Sequence, residues 1–220
     1  MIALRNESFC CFLTTATPGL VRRVTCHSWF VPYHDAVPAA RAPVGSSLTS
    51  TLTAVTLYHV SEERDIEVFT PRRINGADEA LVWAVDEGRL HNYLVPRECP
   101  RVTFYAGPRT SVDDRERFLG SRVAVVAIEA AWLPRLRSCR LFCYHLPADN
   151  FISRDKTAGY FVSRTAVTPV SVECISDPMS AILQRGVELR VLPNLSSLRN
   201  AVVESTLEFS IIRWRNASPR

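Results

Sequence analysis

The sequence predicts an α+β fold dominated by strands, and three observations carry that reading. Segments rich in β-branched and aromatic residues recur along the chain, turn signals separate them, and helical segments are few and irregularly placed. Regular strand-helix alternation, the mark of a doubly wound parallel sheet, is absent, as is any internal repeat. The pattern starts at Val55. Residues 1–54 show neither helical nor strand periodicity and end in AVPAARAPVGSSLTSTLTA, which has the composition of a linker. They are expected to be a disordered or artefactual leader, with Val55 a candidate alternative start and residues 55–220 a single domain.

VTLYHV (55–60) reads as the first strand from its β-branched and aromatic content. ALVWAV (80–85) is the second, and Asp86 then caps a helix by accepting from the free amides of its first turn. RVTFYA (101–106) is the third, closed by Gly107-Pro108. Ser111 and Asp114 fit a capping pattern before a short helix, DDRERFL, that stops at Gly120. RVAVVAIE (122–129) is apolar without alternation, as a central strand buried on both faces is. RLFCYHL, GYFVS and PVSVECI follow as further extended segments. Asp177-Pro178 starts a helix that Gly186 ends, because proline in a first turn has no amide to leave unbonded. VELRVL alternates as a half-exposed strand, and the C-terminal SSLRNAVVESTLEFSIIRWRNA places Leu198, Val202, Phe209 and Ile212 on one helical face.

Composition excludes several classes. With 47% hydrophobic residues in 220, the chain can bury a domain core unaided. A formal charge of +4, spread along the chain, is no footprint for nucleic acid. Lys156 is the only lysine among 26 basic residues, a bias that a GC-rich genome produces. The 7 cysteines are odd in number and irregularly spaced, consistent with reduced thiols and a cytoplasmic location. Cys139, Cys143 and His145 lack a fourth metal ligand, so no metal is expected. No run reaches the roughly 18 apolar residues of a membrane span. The oligomeric state is left open.

Several polar and aromatic residues fall at or near strand ends. His59 closes LYHV, where one ring nitrogen can be fixed by backbone while the other meets a ligand hydroxyl. Trp83 and Tyr93 lie in VWAVDEGRLHNYL, and flat rings suit stacking on a planar heterocycle. Arg72, Arg97 and Arg101 are candidate anion contacts, and Ser61 and Asp86 follow strands as polar loop contacts or as caps.

On LYHVS, VWAVDEGRLHNYL and LEFSIIRW, the chain resembles ADP-ribosyltransferases, the second segment being similar to the poly-ADP-ribose-polymerase strand and Asn-Tyr helix. The resemblance implies an α+β fold of two small antiparallel or mixed sheets forming a cleft, with peripheral helices, and NAD as cofactor. It implies that His59 bonds a ribose or phosphate and that Trp83 and Tyr93 flank one nicotinamide slot. A third element, a glutamate that orients the nicotinamide ribose and the incoming nucleophile, has two candidate positions. AGYFVSRTAVTPVSV carries Tyr160 in the glutamate's place, and a phenol titrating near 10 is no anion at neutral pH. Glu208 in LEFSIIRW is the rival, but helical spacing from Leu198 to Ile212 would leave it on a solvated face; Glu129 and Glu188 are lesser candidates. The implied activity is that of a divergent ADP-ribosyltransferase-like glycosyltransferase or a catalytically degenerate relative. The alternative is a non-enzymatic module that binds a nucleotide or protein in the same cleft. As a whole, residues 55–220 resemble an uncharacterised bacterial family sharing the LYHVSEE opening, the PRECPRVTFY segment and the STLEFSIIRWRNA ending.

Overall fold

A computed structural model describes residues 56–73 and 79–219, so the expected leader lies outside the described residues. The described residues form two sheets. The larger runs β7(Ile152–Asp155), β8(Tyr160–Ser163), β3(Ala80–Val85), β1(Thr56–Ser61), β6(Leu141–Pro147), β9(Ser171–Ile175), with the two-residue β2(Arg72–Arg73) also on β3. All its pairings are antiparallel. The smaller is mixed, in the order β10(Val187–Leu192), β5(Ala124–Glu129), β4(Arg101–Tyr105), β11(Glu208–Ile212), with β10 and β5 parallel. The β5 segment is buried throughout, as expected of an apolar run flanked on both sides.

Strand alternation distributes the core into layers. Tyr58, Val60, Val85 and Cys143 of the large sheet pack against Tyr105, Val126 and Ile128 of the small one, filling the space between the sheets. The opposite face of the small sheet packs Val102, Phe104 and Val125 against Phe118 of α1(Val112–Phe118) and Val202 of α4(Ser196–Glu204). The outer face of the large sheet is covered by Phe69 and Val167, which bridge each other and pack on Leu57 and Tyr144.

Two helical expectations change. Asp86 caps its segment as predicted, but Glu87–Tyr93 is a 3₁₀ helix rather than an α-helix. The C-terminal segment is not one helix: α4 stops at Glu204, Ser205 is extended, and β11 follows. Thr206 is held at this break by Asp114, which accepts from its amide at 2.7 Å and its hydroxyl at 2.6 Å. Pairing with β4 therefore overrides the helical spacing of Phe209 and Ile212. Residues 130–138, without a predicted element, form a 3₁₀ turn and α2(Leu133–Ser138), with Pro134 in its first turn. Among the described residues, no helix is long and apolar enough to cross a membrane, and no group of three His, Cys, Asp or Glu side chains is placed to hold a metal.

Candidate functional site

The large sheet splits beside His59. Strand β1 is in register with β3 only at Tyr58 and Val85, and β2 takes over the pairing at Leu81. The imidazole of His59 fills the gap, its Nδ1 lying 2.9 Å from the carbonyl oxygen of Trp83, an acceptor that a continuous ladder would have given to a backbone amide. The ring also stands 4.7 Å from that of Phe69. Burial lowers the His59 pKa, so the ring is neutral at neutral pH.

A cavity opens at this split, lined by His59, Ser61, Phe69, Arg72, Trp83 and Arg97, among others. Its enclosed part is about 40 Å³, room for a water or two, so a larger ligand would lie along its mouth. Glu62 fixes its rim by accepting from the Arg97 amide at 2.9 Å and from Arg135. Ser61 does not face the cavity as a free donor alone, because its hydroxyl accepts from the Glu63 amide at 3.0 Å.

The aromatic residues cluster on the other face of the same sheet. Trp83, Tyr160 and Val162 point toward the small sheet, whereas Val82 and Ala84 share the outer face with Leu57. The rings of Trp83 and Tyr160 meet edge to face at 6.0 Å. Tyr93 donates its hydroxyl hydrogen to the Tyr160 oxygen at 2.7 Å. Burial raises the pKa of both phenols, and both remain neutral. His59, Trp83 and Tyr93, which sequence reasoning assigned to one pocket, are thus split: Trp83 and Tyr93 pack with Tyr160 between the sheets, and only the backbone edge of Trp83 meets the imidazole.

Glu208 differs most from expectation. As the first residue of β11 it pairs with Tyr105, and alternation puts Glu208 and Ser210 on the inter-sheet face while Phe209 and Ile211 pack outward. Ser210 reaches the Tyr160 hydroxyl, and the Glu208 carboxylate lies beside the Tyr105 hydroxyl, which donates to the Thr157 carbonyl. Gly107 accommodates it, since a Cβ at that position would collide with the carboxylate. Arg89 stacks over the Tyr105 ring at 3.4 Å from its centroid. Burial, with Glu208 as a further cause, pushes the Tyr105 phenol up to about 12. The lesser carboxylates are committed elsewhere: Glu129 is buried and accepts from the Ser218 amide and hydroxyl, and Glu188 pairs with Arg122 and Arg190. Asp86 accepts from the Arg89 amide at 3.0 Å as a cap.

Sequence reasoning gave no weight to His91, which is only 5% exposed. Burial, with Arg89 and Arg185 nearby, lowers its pKa to about 4. Between pH 6.5 and 4 the unfolded chain holds a proton that folded His91 refuses, so stability falls on acidification through that window. The expected loss from this group is about 3 kcal/mol. Urea unfolding at pH 7 and pH 4.5 should therefore show a smaller acid loss in His91→Leu than in the natural chain, and equal losses would refute the assignment.

A split antiparallel sheet facing a mixed sheet across an aromatic and polar layer defines the class as a two-sheet α+β protein. Residues 58–217 match a family of unknown function, DUF6886, and the chain belongs to it. Comparison with curated proteins and with solved structures gives no match.

Proposed function

We propose that this protein binds NAD or a related nucleotide and acts as an ADP-ribosyltransferase-like enzyme, with Glu208 as its carboxylate. The observation that carries this reading is the position of Glu208 on the inter-sheet face of β11, two residues from the serine that reaches Tyr160 and, through it, Tyr93. A carboxylate beside an aromatic layer suits a reaction in which the bond from ribose to nicotinamide breaks and positive charge develops on the sugar. Tyr160, neutral and bonded to Tyr93 and Ser210, serves as a hydrogen-bond relay in this scheme rather than as the anion. His59, with one nitrogen fixed on the Trp83 carbonyl, lines with Arg72 and Arg97 the cavity on the far face of the large sheet from Glu208, so these residues serve the binding reading below rather than the carboxylate's site.

A second reading, a nucleotide-binding module without turnover, draws on the packing of Tyr93 against Tyr160 and the small enclosed volume beside His59. Calorimetric titration with NAD, run in parallel with nicotinamide release in the presence of RNA, DNA or protein acceptors, separates the two. Under the second reading, His59→Ala is expected to weaken nucleotide binding about tenfold, the worth of one good hydrogen bond. Absence of binding by NAD and every other nucleotide would end both readings.

A further inference from the structure

A cleft of about 450 Å³ opens between the N-terminal part of α4 and the segment that follows β11, on the side of the small sheet turned away from the large one. Ser196, Arg199 and Asn200 form one wall, because positions three and four apart share a face of a helix. Trp214, Ala217 and Pro219 form the other. Hydrogen bonds hold this second wall in place. Ser218 donates its amide at 3.1 Å and its hydroxyl at 2.9 Å to Glu129, a buried carboxylate at the end of β5, and the Ser218 carbonyl accepts from Asn194 at 3.1 Å. The volume is that of a small-molecule site, far larger than the enclosed part of the cavity beside His59.

Among the residues lining this cleft Arg199 alone is charged, and none is a carboxylate. Its guanidinium stands 5.1 Å from the centroid of the Trp214 ring and donates one long bond, from Nη1 to the Asn200 Oδ1 at 3.4 Å. Its Nε is buried without a hydrogen-bond partner, and it makes no ion pair among the described residues. The arginines on either side of Trp214 differ, since Arg213 and Arg215 are both paired with Glu98. A half-buried guanidinium held over an indole at the wall of a roomy cleft suits an oxyanion, because its forked donors match two oxygens of a carboxylate or phosphate. Ala217, Pro219 and the indole of Trp214 offer an apolar surface for the rest of such a ligand.

We propose that this cleft binds a small organic anion, with Arg199 on its carboxylate or phosphate group and Trp214, Ala217 and Pro219 against its apolar body. The site shares no lining residue with the cavity beside His59 and does not include Glu208, so it stands independently of the function proposed above.

The test is a calorimetric titration of the full chain with benzoate and with phenyl phosphate, which carry one ring on the two head groups. One or both should bind at a single site, tighter benzoate assigning a carboxylate ligand and tighter phenyl phosphate a phosphate monoester. Benzamide, which has the shape of benzoate without its charge, should bind about tenfold more weakly or worse. Arg199→Met keeps an apolar stem over Trp214 and should weaken the anions by a similar factor, while Arg164→Met, which alters an exposed arginine paired with Glu79, leaves binding unchanged. Hydrogen exchange on the natural chain needs no variant: the bound anion should slow exchange at residues 196–200 and 214–218. Binding of neither anion at millimolar concentration, benzamide as tight as benzoate, or protection confined to other residues overturns the site even if Arg199→Met fails to fold. Full affinity in a folded Arg199→Met overturns it as well. Acetate and inorganic phosphate binding as tightly as their ring-bearing counterparts would overturn the role of the apolar wall.

Discussion

Glu208→Gln is expected to lower nicotinamide release from NAD by a factor of about 10²–10³, the usual cost of removing one preorganised electrostatic contact from a transition state. NAD affinity should change little, because the carboxylate is assigned to the charge that develops as the bond breaks rather than to the bound ground state. Glutamine keeps the shape of the side chain, so the tight fit over Gly107 and the pairing with Tyr105 survive the substitution. Tyr160→Phe, which removes the relay hydroxyl and leaves the ring packed on Trp83, should have a much smaller effect on release. Equal release by the natural chain and Glu208→Gln would move catalysis away from β11. Release abolished by Tyr160→Phe but kept in Glu208→Gln would restore position 160 as the critical one.

The largest stability effect is expected at Phe104. This side chain is fully buried on the outer face of the small sheet, with its ring 6.1 Å from that of Phe118 at nearly a right angle. Phe104→Ala removes the contact that joins β4 to α1 and leaves a cavity that fixed strands on both sides cannot close. A loss of about 3–5 kcal/mol is expected from urea unfolding. Val170, 74% exposed, is the control, and its replacement by alanine should stay within about 0.5 kcal/mol. Similar midpoints for the two variants would refute the core assigned to this face.

Strands were legible where the signal was local. The apolar run of β5, the aromatic and β-branched residues of β1, β3 and β4, and the Asp86, Ser111 and Asp177 caps all stand where sequence reasoning set them. What the chain did locally at its C-terminus was a poor guide, because Leu198, Val202, Phe209 and Ile212 fit helical spacing while Phe209 and Ile211 fit strand spacing equally well. The choice was made about a hundred residues away in sequence, by the β4 ladder and by Asp114 holding Thr206. The alternation of Glu208 and Ser210 against Phe209 and Ile211 was the signal that could have exposed the strand. The partition of His59 from the Trp83 and Tyr93 rings was equally hidden, since it depends on which face each residue takes once β1 parts from β3. Adjacent motifs in a sequence need not share a side of a sheet.

The order of strands in the small sheet carries a consequence for how the protein is made. Its four members come from residues 101–105, 124–129, 187–192 and 208–212, and the parallel pair β5 and β10 cannot form until the long stretch between them has emerged. Closing such loops costs entropy before any contact repays it, so this sheet should assemble late and slowly. Most of the large sheet, by contrast, is complete once β9 is synthesised. A growing or C-terminally shortened chain would thus hold the His59 split but present β4 as an open edge, lacking β11 and Glu208 with it. Such a ribosome-bound or truncated chain should be prone to pair with other strands through its β4 edge until that final segment docks.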